Sequence, residues 1–414
     1  MMDTGRDGTA HWDDGECDGS GGGKGTGRGG ITFKGLPGVL MGPGYFYRPR
    51  QILVGATAAE QPDLIRQLRG AGASPDEQLN GRFSKAGLDV RAYRLPARVS
   101  IPELIARLRE GDVGEAAPDV SPNYVFPGQP WYNGGPYGEP QNASAFLDGP
   151  VPDPGSPVVA VLDTGYDPAI DALHPGLAAR IDHVLSDDEV ATEPSGYFAQ
   201  EGGHGTFVDG IVMRVAPGLR IRHARVLDPE GLGDDAMIAL RVATDPAPVI
   251  NLSLGGYTAD DQPPTGLASA MAKLGNSAVV VAAAGNNGSS RPFWPAAFNL
   301  VVAVGALDTT SGGQQRASWS NYGHWVDVYA PGVNVRSTYL SGEWKLATDP
   351  APWHLGGWAH WSGTSFAAPQ VAAEIAKAVH DGLPPLQAAH AVLGAASWVP
   401  GVGPVITPVP GVID

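Results

Sequence analysis

The sequence predicts an α/β protein, built on a mostly parallel sheet covered by helices on both faces and preceded by a small α+β unit. Uninterrupted apolar runs at Val158 to Leu162, Val249 to Leu252, Val279 to Ala284 and Leu300 to Val304 read as strands buried on both faces. Stretches with helical spacing of apolar residues alternate with them. The chain has 414 residues, of which 43% are hydrophobic and 8% aromatic, enough to fill one large core and a second, smaller one.

From the N-terminus, residues 1–47 are dominated by glycine and charge, as in Gly19-Ser20-Gly21-Gly22-Gly23-Lys24-Gly25. So little apolar surface cannot offset the entropy of ordering, and a disordered tail is expected. Residues 48–127 are more patterned. Gln51 to Gly55 and Leu88 to Leu95 read as strands, and Asp63 to Leu68 as a short helix. In the segment Ser100 to Arg109, Ser100 and Glu103 stand at capping-box spacing, with Ile101, Leu104, Ile105 and Leu108 on one face. Residues 128–414 hold the long buried strands.

Three segments of that last part carry candidate chemistry. Ser365 lies in Ser362-Gly363-Thr364-Ser365-Phe366-Ala367-Ala368, a small-residue turn entering a helix, where the hydroxyl meets the positive end of the helix dipole. Gly363 is read as permitting a tight turn there. Ordinary N-cap chemistry accounts for this segment equally well when it is taken alone. Asp163 ends the apolar run from Pro157, at the carboxyl end of a strand, where open α/β sheets build their sites. His204 sits between glycines at the start of a helix. A serine hydroxyl is a poor nucleophile until an imidazole takes its proton and a carboxylate orients that imidazole. Asp163, His204 and Ser365 supply the set.

With these motifs in the chain order Asp, His, Ser, the sequence resembles the subtilisin-like serine peptidases, the subtilases. A fourth motif, Ala282-Ala283-Ala284-Gly285-Asn286-Asn287-Gly288, matches the place where that family keeps the asparagine that donates to the oxyanion. The resemblance implies a subtilisin-like fold and peptide-bond hydrolysis through Asp163, His204, Ser365 and Asn286. It also implies that Ser253, Leu254 and Gly255 form one wall of the primary specificity pocket and Ala283, Ala284 and Gly285 the other. Phe293 and Trp294 fall near the pocket lining; Phe293 there would narrow it, while both rings packing in the core is an equal alternative. Residues 48–127 resemble the family's ferredoxin-like propeptide. On that reading the N-terminal domain is an inhibitor of its own catalytic domain, removed by a cut between Pro130 and Gly135. Pro127 and Pro130 disfavour cleavage after Phe126 or Gln129.

Composition limits the alternatives. The formal net charge of -16 argues against nucleic acid as a partner, and the single cysteine, Cys17, rules out an intramolecular disulfide. No stretch of about 18 apolar residues suggests a membrane partner, and the polar start Met1-Met2-Asp3-Thr4 carries no secretory signal. A cytoplasmic protein is expected, with secretion as the alternative. No cofactor or metal is expected; in particular, the turn Val215-Ala216-Pro217-Gly218 lacks the oxygen ligands for the calcium ion that many subtilisins hold there. Phe207 replaces the family's usual second histidine and Ala373 its usual glycine. The stretch from Leu340 to His360, containing Trp344, Trp353 and Trp358 with Trp361 just beyond, looks like an insertion, either a lid or partner surface or a packed loop. Two further activities stay open: a narrow maturation protease acting on one cellular peptide, and an inactive peptide-binding protein on the same fold.

Overall fold

Alternation with period two along the valine- and alanine-rich strands gives each of them two apolar faces, and the sheet they form is covered on both. The computed structural model describes residues 31–32, 38–110, 119–128, 140–146, 151–153, 155–183, 201–228, 231–310, 312–344 and 353–408. Among these, the central sheet runs in the order Ser397–Val399, Gly403–Val405, Val328–Pro331, Val301–Asp308, Val279–Ala283, Val249–Leu252, Val158–Asp163, Arg220–Arg225, Ile181–His183. Every pair from Gly403–Val405 onward is parallel. Ala160, Leu162, Ile250, Leu252 and Val280 face a core shared with helices Asp235–Thr244 and Thr265–Leu274. Val159, Val161, Val249, Val279 and Val281 face the other, shared with helices His204–Val215 and Thr364–His380.

The N-terminal part forms a second, antiparallel sheet, to which Leu232–Asp234 of the central domain adds a strand beside Val120–Pro127. Its long strand Tyr45–Gly55 pairs with Leu40–Gly42, Val90–Arg94 and Val120–Pro127, and helices Pro62–Gly70, Glu77–Ala86 and Ile101–Arg109 pack with it in one core. The sheet thus begins before residue 48, because Tyr45 and Tyr47 are buried aromatics that pack on each other, with Tyr45 edge-on to Tyr124. Residues 1–30 and 33–37 of the expected tail, including Cys17, lie outside the described residues. The capping box at Ser100 does not form: its side chain makes no cap hydrogen bond, and Pro102 removes one of the N–H groups a capping hydroxyl would reach.

The strand Val120–Pro127 seats this unit on the N-termini of two helices of the central domain. Asn123 Oδ1 accepts from Ala236 N–H at 3.1 Å, and Asp119 Oδ1 accepts from the Thr265 hydroxyl at 2.6 Å. The tryptophan-rich stretch is an antiparallel strand pair, Val335–Trp344 with Trp353–Trp361, whose register shifts between Thr338 and Ser341, joined by Gln141–Asn142 as a third strand. Tyr339, Leu340, Leu355, Ala359 and Trp361 bury its inner face against the His204 helix. Of the alternatives read from sequence, the described part is therefore packed structure. Among the described residues, no helix is long and apolar enough to cross a membrane.

Candidate active site

Parallel strands end together at one edge of a sheet, and the helices that follow start there, so side chains from distant parts of the sequence converge. Asp163 is the last residue of its strand, His204 the first of its helix and Ser365 the second of its helix. All three are buried, with Ser365 only 1% exposed. The backbone of Gly363 is extended, at φ 167°, so the turn before Ser365 does not depend on a glycine-specific conformation. Gly363 N–H instead donates to Gly332 O at 2.8 Å, which fixes the helix entry against the strand ending at Pro331.

His204 Nδ1–H donates to Asp163 Oδ1 at 2.6 Å, and the same oxygen accepts from Thr164 N–H at 2.8 Å. A carboxylate can only accept, so this contact fixes the tautomer that leaves Nε2 as the acceptor nitrogen. Nε2 is buried and has no hydrogen-bond partner among the described residues. Trp361 and Phe366 pack beside the imidazole at ring centroid distances of 5.7 and 5.4 Å. Burial pushes the His204 pKa down, but the Asp163 charge and hydrogen bond, with Glu201, outweigh it and raise the pKa above its ordinary value.

Ser365 Oγ lies 3.2 Å from Ser253 O and 3.4 Å from Gly128 O. Asn286 Oδ1 accepts from both the N–H and the hydroxyl of Thr364, at 2.9 and 2.8 Å, which sets the orientation of the amide. Thr364 Oγ1 in turn accepts from Gly285 N–H at 3.0 Å. Sequence reading missed Thr364 and also Thr164, whose hydroxyl accepts from Gly205 N–H at 2.9 Å. Short hydroxyl residues in turns look like caps, and nothing in their spacing sets them apart.

The two segments expected as pocket walls lie at the ends of neighbouring parallel strands, and both approach the ring of Phe293. Gly285 has φ of +94°, a conformation that suits glycine, and Asn321 Nδ2 holds the Ala284 carbonyl at 2.8 Å. Phe293 stands between the walls: a Cβ on Gly255 would overlap its ring, and one on Gly285 would lie 3.0 Å from it. Tyr257 packs edge-on to the same ring at 5.3 Å. Trp294 turns away to pack on Phe298 at 4.6 Å, while its backbone bridges to Gly256. Ser253 uses its hydroxyl internally, donating to Ser365 O at 2.7 Å, and Leu254 is buried. The turn after the His204 helix is closed by Leu219 N–H on Ala216 O at 3.0 Å and carries no carboxylate.

A peptide strand already runs along this cleft. Val120–Pro127 pairs antiparallel with Leu232–Asp234, Gly128 N–H donates to Gly231 O at 2.8 Å, and Gly255 N–H donates to Pro127 O at 3.2 Å. The strand is thereby held from both sides, and Gly128 arrives beside Ser365 and His204.

The model of the family described as "Subtilase family" matches residues 155–401. The chain is 36% identical over 357 residues to a thermophilic serine proteinase of Bacillus sp. (strain AK1), covering 79% of this chain and 82% of that protein. It is 33% identical over 264 residues to thermitase of Thermoactinomyces vulgaris, covering 59% of this chain and 82% of that one. The crystal structure of fervidolysin from Fervidobacterium pennivorans superposes with a TM-score of 0.57 at 21% identity, over 87% of this chain and 60% of that one, a likeness of fold. Together with the fold and the converging Asp163, His204 and Ser365, these matches show that the chain belongs to the subtilase family of serine peptidases.

Proposed function

We propose that this chain is a serine endopeptidase in which Ser365 is the nucleophile, His204 the general base and Asp163 the group that orients His204. As Ser365 Oγ attacks a peptide carbonyl, its proton passes to His204 Nε2, and the imidazolium is stabilised by Asp163 at 2.6 Å. The carbonyl oxygen becomes negative and is met by the Asn286 side-chain amide and the Ser365 N–H at its helix start. His204 then gives the proton to the leaving amine, and water hydrolyses the acyl-enzyme by the same steps in reverse. The observation that carries this reading is the strand Val120–Pro127, a peptide held by main-chain bonds on both edges and followed by Gly128, whose carbonyl oxygen lies 3.4 Å from Ser365 Oγ.

The same strand supports a division of the chain near residue 127, with the preceding domain acting as an inhibitor that fills the cleft as a substrate would. Self-processing follows on this reading. The cut expected between Pro130 and Gly135 lies outside the described residues, and the proximity of the Gly128 carbonyl favours Gly128–Gln129 as the second possibility. Phe293, wedged between Gly255 and Gly285, supports a shallow primary pocket that takes small side chains, and this favours narrow specificity over general degradation. Intact-mass measurement of freshly purified protein tests the reading. Wild type should lose its first ~130 residues while Ser365→Ala stays full length; active wild type that remains uncut would show that the N-terminal domain is a permanent partner.

A further inference from the structure

A second histidine–carboxylate pair lies directly beneath the first. His223, on the strand Arg220–Arg225, meets Asp209, on the helix that begins at His204, with Nδ1 and Oδ2 2.8 Å apart; both residues are fully buried. The other ring nitrogen, Nε2, is 2.7 Å from Thr164 O, the carbonyl of the residue that follows Asp163. Carboxylate and carbonyl are both acceptors, so both ring nitrogens must donate and the ring is an imidazolium. The electrostatics agree: burial pushes the His223 pKa down, but the Asp209 charge and hydrogen bond, the Thr164 carbonyl and Asp163 raise it to about 9.

This pair touches both segments that carry the catalytic residues. Thr164 is held on its carbonyl by His223, while its hydroxyl accepts from Gly205 N–H, next to His204. Gly205 rests on the same spot: a Cβ there would stand 2.6 Å from Thr164 O and 2.8 Å from His223 Cε1. The imidazolium therefore forms the floor on which the Asp163–Thr164 turn and the His204–Gly205 helix start are joined. Tyr166 closes the far side, its ring 5.8 Å from His223 and its hydroxyl donating to Asp171 at 2.7 Å. A buried ion pair is a poor source of net stability, since desolvation offsets the attraction. Its value here is geometric.

We infer that Asp209 and His223 are positioning residues for the reaction, a buried pair that sets the angle and distance at which Asp163 meets His204. This rests on the assignment of Asp163 and His204 made above. A misplacement of about 1 Å in such a constellation costs on the order of 100-fold.

The test uses self-processed enzyme with rates expressed per site titrated by a fluorophosphonate. Asp209→Leu/His223→Phe replaces the pair by apolar groups, leaving no lone charge but removing the donor to Thr164 O. Asp209→Asn/His223→Gln keeps that donor. The apolar variant should lose about 10- to 100-fold in kcat with KM within about twofold, and the polar variant should stay within about threefold of wild type. The downfield proton signal of His204 Nδ1–H should shift in the apolar variant alone. If the apolar variant keeps kcat per site within about twofold and an unmoved His204 signal, whatever its Tm, the pair only fills the core and the inference is wrong. Should that variant not fold, nitrogen-15 histidine spectra of wild type decide: a doubly protonated His223 at pH 7 supports the inference, and one lacking its Nε2 proton overturns it. Failure of the catalytic assignment is distinguishable, because Ser365→Ala would then retain turnover in the same assay, which would remove the basis for positioning as well.

Discussion

Replacing Phe293 by alanine should convert the primary pocket from one that takes small side chains to one that accepts aromatic ones. The ring stands between Gly255, where a Cβ would overlap it, and Gly285, where one would lie 3.0 Å from it, and it is 8% exposed. Removing it opens a slot the size of a phenyl group between two glycine-bearing walls. A substrate phenylalanine buried in that slot gains about 1.5 to 3 kcal/mol. At 1.4 kcal/mol for each tenfold, this is roughly a 10- to 100-fold rise in kcat/KM for phenylalanine ahead of the cut bond. Alanine at that position should change by less than about threefold, since one methyl has little to lose. The cost in stability is at most the 3 to 5 kcal/mol typical of a buried Phe→Ala change. Paired peptides that differ only at this residue, assayed on wild type and Phe293→Ala, give the ratio directly. Wild type that cuts after phenylalanine as well as after alanine would show that Phe293 does not restrict the pocket, as would a variant with an unchanged ratio.

Asn286→Ala should lower kcat about 100- to 1000-fold with little change in KM, because the amide acts only once the oxygen is negative. A matching loss in substrate binding would point to a structural role through Thr364 instead. Asp163→Ala and His204→Ala should each remove several orders of magnitude of turnover, and the double variant should lose little more than either alone, as expected for groups acting as a unit. Additive losses would contradict that. In a pH series, kcat/KM should fall on the acid side as His204 takes a proton. Because Asp163 raises the His204 pKa, the acid limb should lie above the ordinary histidine value near 6.5 rather than below it. A limb well below that value would show that burial, not Asp163, dominates.

The central sheet was legible because its strands are short, continuous and apolar, from Val158, Val249 and Val279, and such runs have few other homes. The candidate catalytic side chains were legible because strand-end and helix-start motifs place Asp163, His204 and Ser365 on one edge. Helix Glu77–Ala86 escaped notice: its apolar contribution rests on Leu79, Phe83 and Ala86, and its boundaries depend on the Asp76 cap and Gly87 in a left-handed turn. The strand pair Val335–Trp344 with Trp353–Trp361 read as an insertion because glycine and tryptophan mask its alternation, and register with a partner strand is a long-range property. Thr164, Thr364 and Asn321 act through hydrogen bonds to backbone far away in sequence, which no local pattern records. The Asp209–His223 pair is hidden for the same reason: 14 residues separate the two, and only the parallel pairing of Arg220–Arg225 with Val158–Asp163 brings them together under Thr164.

The most direct test of the catalytic assignment is fluorophosphonate labelling of self-processed wild type and of His204→Ala and Ser365→Ala cut at the same site in trans by a separable wild-type enzyme, followed by peptide mapping. One adduct per chain is expected, on Ser365, formed far more slowly in His204→Ala and absent in Ser365→Ala. Labelling at another residue, or equal labelling of wild type and His204→Ala, would contradict the assignment.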